Sequence, residues 1–217
     1  IIDKKVYEYF YEMEIPEKPT LYDYLILSLR KKDLIATFNW DPLLLQTMRR
    51  HSVIKNLPQV VFLHGNVAVG ICKHCKITRF KYNNICHRCH RSFDKVKLLY
   101  PVENKNYSSD SFIKNEWDIL RGYFKISLFV TIFGYSAPIS DIDAKKLMLD
   151  ASTENRSREF YELEIIDIKQ EKEVEDTWYD FIYKHHYSII KKLNNSYLWY
   201  HPRRSTDAFF DAYMMNN

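Results

Sequence analysis

Residues 34–42, Leu34-Ile35-Ala36-Thr37-Phe38-Asn39-Trp40-Asp41-Pro42, change structural period within nine positions. Leu34 to Phe38 is a short apolar run suited to a buried strand. Pro42 sits where a helix can begin, because the N–H it lacks would have no intrahelical partner there. A strand feeding directly into a helix is the first half of a βα unit, and in open α/β sheets the ligand crevice lies outside the carboxyl ends of the strands. Thr37, Asn39 and Asp41 stand at that junction. Two more strand ends carry polar signatures: Gln59–Leu63 runs into His64-Gly65-Asn66, and the apolar stretch Ser127–Phe133 runs into Gly134-Tyr135-Ser136.

Working outward, the pattern predicts helices over Lys4–Met13 and Thr20–Lys32, parted by Pro16-Glu17-Lys18-Pro19. It predicts a short strand at Leu98–Val102, a helix over Ser111–Phe124, a helix over Asp141–Asp150 and a strand over Tyr161–Ile168. Val174–Leu193 reads as one long helix with Trp178, Phe181, Ile182, His185, Ile189 and Leu193 on its core-facing side. A last aromatic helix is expected around Ala208–Met214. Near-continuous apolar strands alternating with helices argue for an α/β protein with a doubly wound parallel sheet. With 217 residues, 46% hydrophobic and 16% aromatic, the chain supports one main domain, residues 1–217, carrying an insertion at residues 70–97.

That insertion holds the charge. Lys and Arg number 32 against 28 Asp and Glu, a net +4 that by itself requires neither a nucleic acid nor a membrane. Residues 70–97 contain eight basic side chains and one acid, Asp94, so the insertion is formally +7 and the remainder −3. All four cysteines lie there, as Cys72-x2-Cys75 and Cys86-x2-Cys89 with ten residues between the pairs. Two such knuckles can present four thiolates to a tetrahedral metal, and zinc suits a closed thiolate site. His74, His87 and His90 are nearby, but four cysteines already complete the ligand set. Four thiolates with zinc carry −2, which leaves the insertion at about +5 and an anionic partner open. The pairing suits a metal in a reducing, cytoplasmic setting better than secreted disulfides. No stretch of 18 or more apolar residues appears, so no membrane partner is expected. Residue 1 is Ile and the first Met is Met13, as in a sequence beginning inside a longer protein.

Taken singly, the strand-end residues are ambiguous. A histidine beside a buried strand is a general base only where geometry allows it. Asp41 before Pro42 also makes a good helix start. A Gly-Tyr-Ser loop can hold a phosphate or ribose through its N–H groups, or simply turn the chain. Their order is more informative. T-x-N-x-D after a strand, H-G after the next, a C-x2-C/C-x2-C ribbon and G-Y-S after a later strand resemble the sirtuin (Sir2-like) family from about Leu34 to Ile168.

The resemblance implies a Rossmann-like NAD-binding fold with an inserted zinc ribbon, and NAD as substrate. It implies that Thr37, Asn39 and Asp41 line the NAD pocket, with Asn39 a catalytic residue that contacts the nicotinamide ribose and helps position the reacting group, and Asp41 near the carboxamide. It implies further that His64 is the general base, that Gly134 and Ser136 hold the phosphate or adenine-side ribose, and that Asp167 contacts the adenosine half. The glycine-rich diphosphate loop of the family's first βα unit has no counterpart here: the four glycines are Gly65, Gly70, Gly122 and Gly134, and none precedes Leu34. Gly134-Tyr135-Ser136 through Asp141 looks like the divergent bacterial members, several of which hydrolyse NAD in antiphage defence. After the ribbon, Tyr100-Pro101-Val102-Glu103-Asn104-Lys105 stands where deacylases have a Phe-Gly-Glu type segment that seats an acylated protein. NAD hydrolysis is accordingly favoured over NAD-dependent deacylation. The third alternative is a catalytically degenerate zinc-ribbon module for interaction or nucleic-acid binding, with nucleic acid at the basic ribbon not the favoured partner.

Overall fold

The computed structural model describes residues 2–80, 85–100 and 106–216. Two N-terminal helices, α1 (Ile2–Tyr11) and α2 (Leu21–Ser28), precede β1 (Leu34–Thr37), α3 (Leu43–Arg50) and β2 (Gln59–Phe62). The insertion supplies β3 (Val69–Cys72), β4 (Ile77–Phe80) and β5 (Asp94–Lys95). The chain then runs through α4 (Ser111–Phe124), β6 (Phe129–Phe133), α5 (Ile142–Thr153), β7 (Glu162–Ile166), α6 (Glu171–Trp178) and β8 (Tyr187–Ile190). It closes with α7 (Tyr197–Tyr200) and α8 (Ser205–Asn216). No helix among the described residues is long and apolar enough to cross a membrane.

The five strands outside the insertion pair only in parallel, as an α/β architecture requires, but in two pieces: β1 with β2, and β6–β7–β8. Helices cover both faces. Ile113, Trp117, Ala144, Met148 and Trp178, from α4, α5 and α6, pack on Val61, Leu163 and Ile165. On the opposite face Ile26, Leu44, Leu198 and Ala208, from α2, α3, α7 and α8, enclose Ile35. The insertion is its own antiparallel sheet in the order β4-β3-β5.

Polar side chains finish edges that the strands leave open. The Phe62 N–H donates to Glu116 Oε2 at 2.9 Å, and Trp117 Nε1 donates to the Leu63 carbonyl at 3.0 Å. Two residues of α4 thereby occupy hydrogen-bonding positions along β2 and its continuation. On β7, Glu164 is wholly buried. It accepts from Ser196 Oγ at 2.8 Å, Thr131 Oγ1 at 3.1 Å and the Tyr197 N–H at 2.9 Å. Burial raises the pKa of both Glu116 and Glu164, against the lowering effect of those donors.

One expected element is overturned. The long helix over Val174–Leu193 stops at Trp178, tightens into a 3-10 turn at Tyr179–Phe181 and becomes strand β8 at Tyr187–Ile190. Lys184 has φ +55, which no α-helix contains. Tyr187, Ile189 and Ile190 are good strand formers, and their pairing with Leu163, Ile165 and Ile166 of β7 supplies the backbone partners that a helix would have provided. The expected strand at Leu98–Val102 is irregular over Leu98–Tyr100, and Pro101 and Val102 lie outside the described residues, as do Glu103, Asn104 and Lys105.

Candidate functional site

β1, β2 and β6 each end in one of the polar signatures. β2 continues into a fully buried run, residues 61–70, which holds His64 at 6% exposure. The His64 ring is fixed on several sides. Its Nε2 lies 3.4 Å from the Tyr107 hydroxyl and 3.8 Å from Asp141 Oδ1, and Phe38 meets the ring edge-on at 4.8 Å between centroids. Tyr135 stacks on Phe38 at 4.0 Å with 10° between the planes, and its hydroxyl donates to Asp141 Oδ2 at 3.2 Å. Burial, followed by the Asp141 charge, raises the pKa of both Tyr107 and Tyr135, so both phenols remain donors. Asp141, itself 5% exposed, therefore accepts from the Tyr135 phenol and has the His64 imidazole in ion-pair range. An imidazole held this way is oriented to exchange a proton. Tyr107 also forms part of the wall of a groove of about 610 Å³ between α4 and α5.

Other residues of the first signature face elsewhere. Thr37 Oγ1 accepts the Asn39 N–H at 3.0 Å, a local turn bond. Asn39 is exposed and its Nδ2 donates to the Tyr22 hydroxyl at 3.3 Å, so its side chain is turned to α2 and not to His64. Asp41 Oδ1 accepts the Leu43 N–H at 3.0 Å in the manner of a helix cap, and its carbonyl accepts Asn66 Nδ2 at 2.6 Å. Burial raises the pKa of Asp41. Gly134, at φ +63, and Ser136 are both exposed. Asp167, half-buried beyond β7, caps its own turn by accepting the Lys169 N–H at 2.9 Å. The structure thus gathers His64, Asp141, Tyr107, Phe38 and Tyr135, and leaves Asn39, Ser136 and Asp167 at the perimeter. Tyr107 carries no sequence signature: it lies 43 residues from His64, and only the fold joins them.

The histidine is mounted on the ribbon's stalk. Gly65, at φ +83, passes so close to the chain returning from the ribbon that a Cβ there would lie 2.1 Å from the Lys97 carbonyl oxygen. The Leu99 N–H donates to the His64 carbonyl at 2.9 Å. From the other side the Tyr7 hydroxyl of α1 donates to the Val67 carbonyl at 2.6 Å, and Lys95 Nζ lies 4.0 Å above the Tyr7 ring.

At the ribbon tip the four sulfurs of Cys72, Cys75, Cys86 and Cys89 lie within 4.8 Å of one another, a geometry that can hold a metal ion. The backbone N–H groups of Arg88 and Cys89 draw the Cys86 thiol down to about 6. Hydrogen bonding to Cys89, with burial, pushes Cys75 up to about 12. Without a cation the cluster cannot readily ionise as a whole, which is the condition a divalent metal relieves.

No family model and no curated protein matches the sequence. Among solved structures the chain is similar to a sirtuin described for its substrate affinity, at 14% identity and TM-score 0.44, over 80% of this chain and 65% of that one. It is similar to Sir2 in complex with the inhibitor EX-527, 2′-O-acetyl-ADP-ribose and deacetylated p53 peptide, at 16% identity and TM-score 0.44, over 90% and 69% of the two chains. A Sir2–p53 peptide–NAD+ complex gives 17% identity and TM-score 0.41, over 70% and 60%. The chain therefore spans about two thirds of the length of the sirtuins it is similar to.

Proposed function

We propose that this protein cleaves the nicotinamide–ribose bond of NAD, with hydrolysis favoured over protein deacylation. The observation that carries the reading is the buried His64, held 3.8 Å from Asp141 and 3.4 Å from Tyr107 where β1, β2 and β6 end. Breaking the bond sends its electron pair to the nicotinamide nitrogen, which becomes neutral, and leaves positive charge on the ribose C1′. Water then attacks C1′ and gives up a proton, so the products are nicotinamide, ADP-ribose and H+. A positioned imidazole is the group suited to take that proton near neutral pH. Asn39, Thr37, Asp41, Gly134, Ser136 and Asp167 are assigned to the cofactor's ribose, carboxamide, phosphate and adenosine parts on the strength of the motifs alone. Asn39 reaches the ribose by releasing Tyr22. The four cysteines hold zinc in a structural role.

The test is nicotinamide release from NAD by the purified protein, with and without an acetyl-lysine peptide, and with His64→Ala as control. Release without peptide that disappears in the variant supports hydrolysis. Release only with peptide moves the reading to deacylation. Absence of release in both conditions refutes NAD cleavage.

A further inference from the structure

Outside the candidate site, the strongest concentration of unassigned chemistry is the surface of the ribbon. Its two knuckles are built alike. Lys76 donates its N–H to the Cys72 carbonyl at 2.7 Å with φ +53, and His90 donates to the Cys86 carbonyl at 2.8 Å with φ +56. Each knuckle therefore displays equivalent positions, and each carries one cation and one imidazole between its cysteines, in opposite order. Lys73-His74 lies between the first cysteine pair and His87-Arg88 between the second, followed by Lys76 on one side and His90-Arg91 on the other. All of these side chains are exposed.

We infer that the ribbon binds single-stranded nucleic acid. The charge selects a polyanion: residues 70–97 hold a single acid, Asp94, and Lys73 lies 3.4 Å from it. The rings select among polyanions. Imidazoles set beside cations offer flat faces for unstacked bases next to partners for phosphates, whereas an acidic peptide or an anionic membrane would use the cations alone. A duplex hides its base faces and leaves the imidazoles without a role. Arg79 extends the strip, since its guanidinium reaches His87 Nδ1 at 3.1 Å and joins the second knuckle to β4. The knuckles contribute no side chain to the His64 cluster, so binding does not require NAD cleavage.

The experiment is fluorescence anisotropy of labelled 20-mer oligo(U) and oligo(dT) against the full chain over a salt series. Competitors are a 20-base-pair duplex, poly-glutamate and phosphatidylserine vesicles. A quadruple charge reversal, Lys73→Glu, Lys76→Glu, Arg88→Glu and Arg91→Glu, should weaken single-strand binding at least tenfold. Removing four phosphate contacts should also lower the slope of log K against log salt by about 3. His74→Ala with His90→Ala should weaken binding severalfold at an unchanged salt slope. Zinc content and melting temperature serve as folding controls, and the single reversal Lys76→Glu replaces the quadruple variant if the latter is unfolded. Preference for the duplex, equal competition by poly-glutamate or vesicles, or wild-type binding by the reversed protein overturns the inference.

Discussion

The two sides of the strand-end crevice are built differently. On the β2 side, His64, Tyr107 and Asp141 are each less than a tenth exposed, and His64 brings together three separate parts of the chain by lying within 3.4 Å of Tyr107 and 3.8 Å of Asp141. On the β1 and β6 side, Asn39, Gly134 and Ser136 are exposed and make only local or peripheral contacts. β7 is buried at every position, whereas Ala36 of β1 is exposed and every residue of β6 keeps some contact with solvent. Among the described residues β1 pairs only with β2, and β6 only with β7. The His64 side is pre-organised by packing. The side assigned to the cofactor has its residues in place without an enclosure.

If that division is functional, His64→Ala should cut nicotinamide release by about a hundredfold or more, since positioned acid–base groups contribute on that scale. Ser136→Ala on the open side should cost less than about tenfold, the worth of a single hydrogen bond, and should appear mainly in KM. Equal losses in both variants would erase the distinction. Steady-state assays of released nicotinamide decide it.

The glycines offer a comparison in stability. At Gly65 an added methyl group meets the Lys97 carbonyl at 2.1 Å in a left-handed backbone, while at Gly134 the backbone is equally left-handed but nothing lies within 4 Å. Gly65→Ala should destabilise by about 2–4 kcal/mol through strain and overpacking together. Gly134→Ala should cost about 1 kcal/mol through strain alone. Thermal unfolding followed by circular dichroism should show the larger loss at Gly65, and the reverse order would contradict the described packing of the stalk.

Glu116→Ala probes the β2 side from behind. It removes the acceptor of the buried Phe62 N–H and should cost about 1–3 kcal/mol. An unchanged melting temperature would mean that water replaces the carboxylate.

The smallest effect concerns the support beneath Asn39. Asp23 of α2 is buried, which pushes its pKa up. Hydrogen bonds from Thr20 and His51, with the charge of Arg50, outweigh burial and hold it down to about 2. A depressed carboxylate contributes stability that is present above its ordinary value near 3.8 and is lost as pH falls through about 2. Asp23→Asn should therefore melt below the wild type at pH 6 and alongside it at pH 2. A difference of the same size at both pH values would assign the loss to packing instead of charge.

Local chemistry made part of this molecule legible in its sequence. The cysteine pairs announce the ribbon, α4 occupies the span that its periodicity defines, and the three strands end where the polar signatures begin. Long-range packing hid the rest. A run from Val174 to Leu193 with helical spacing becomes helix, turn and strand because β7 is available to pair with it. Tyr107 gives no warning of its place beside His64. Nothing in the sequence marks Glu116 and Glu164 for burial, yet inside the fold they accept the backbone N–H groups of Phe62 and Tyr197.

The stalk beneath the ribbon bears on how this protein can be trimmed or recombined. By composition residues 70–97 look like a cassette that could be cut out and closed with a short turn. By attachment they are not, because the Lys97 carbonyl packs against Gly65, the Leu99 N–H holds the His64 carbonyl, and α1 braces both through Tyr7. A shortened chain would retain every strand of the parallel sheets and lose the scaffold that sets the direction of one imidazole.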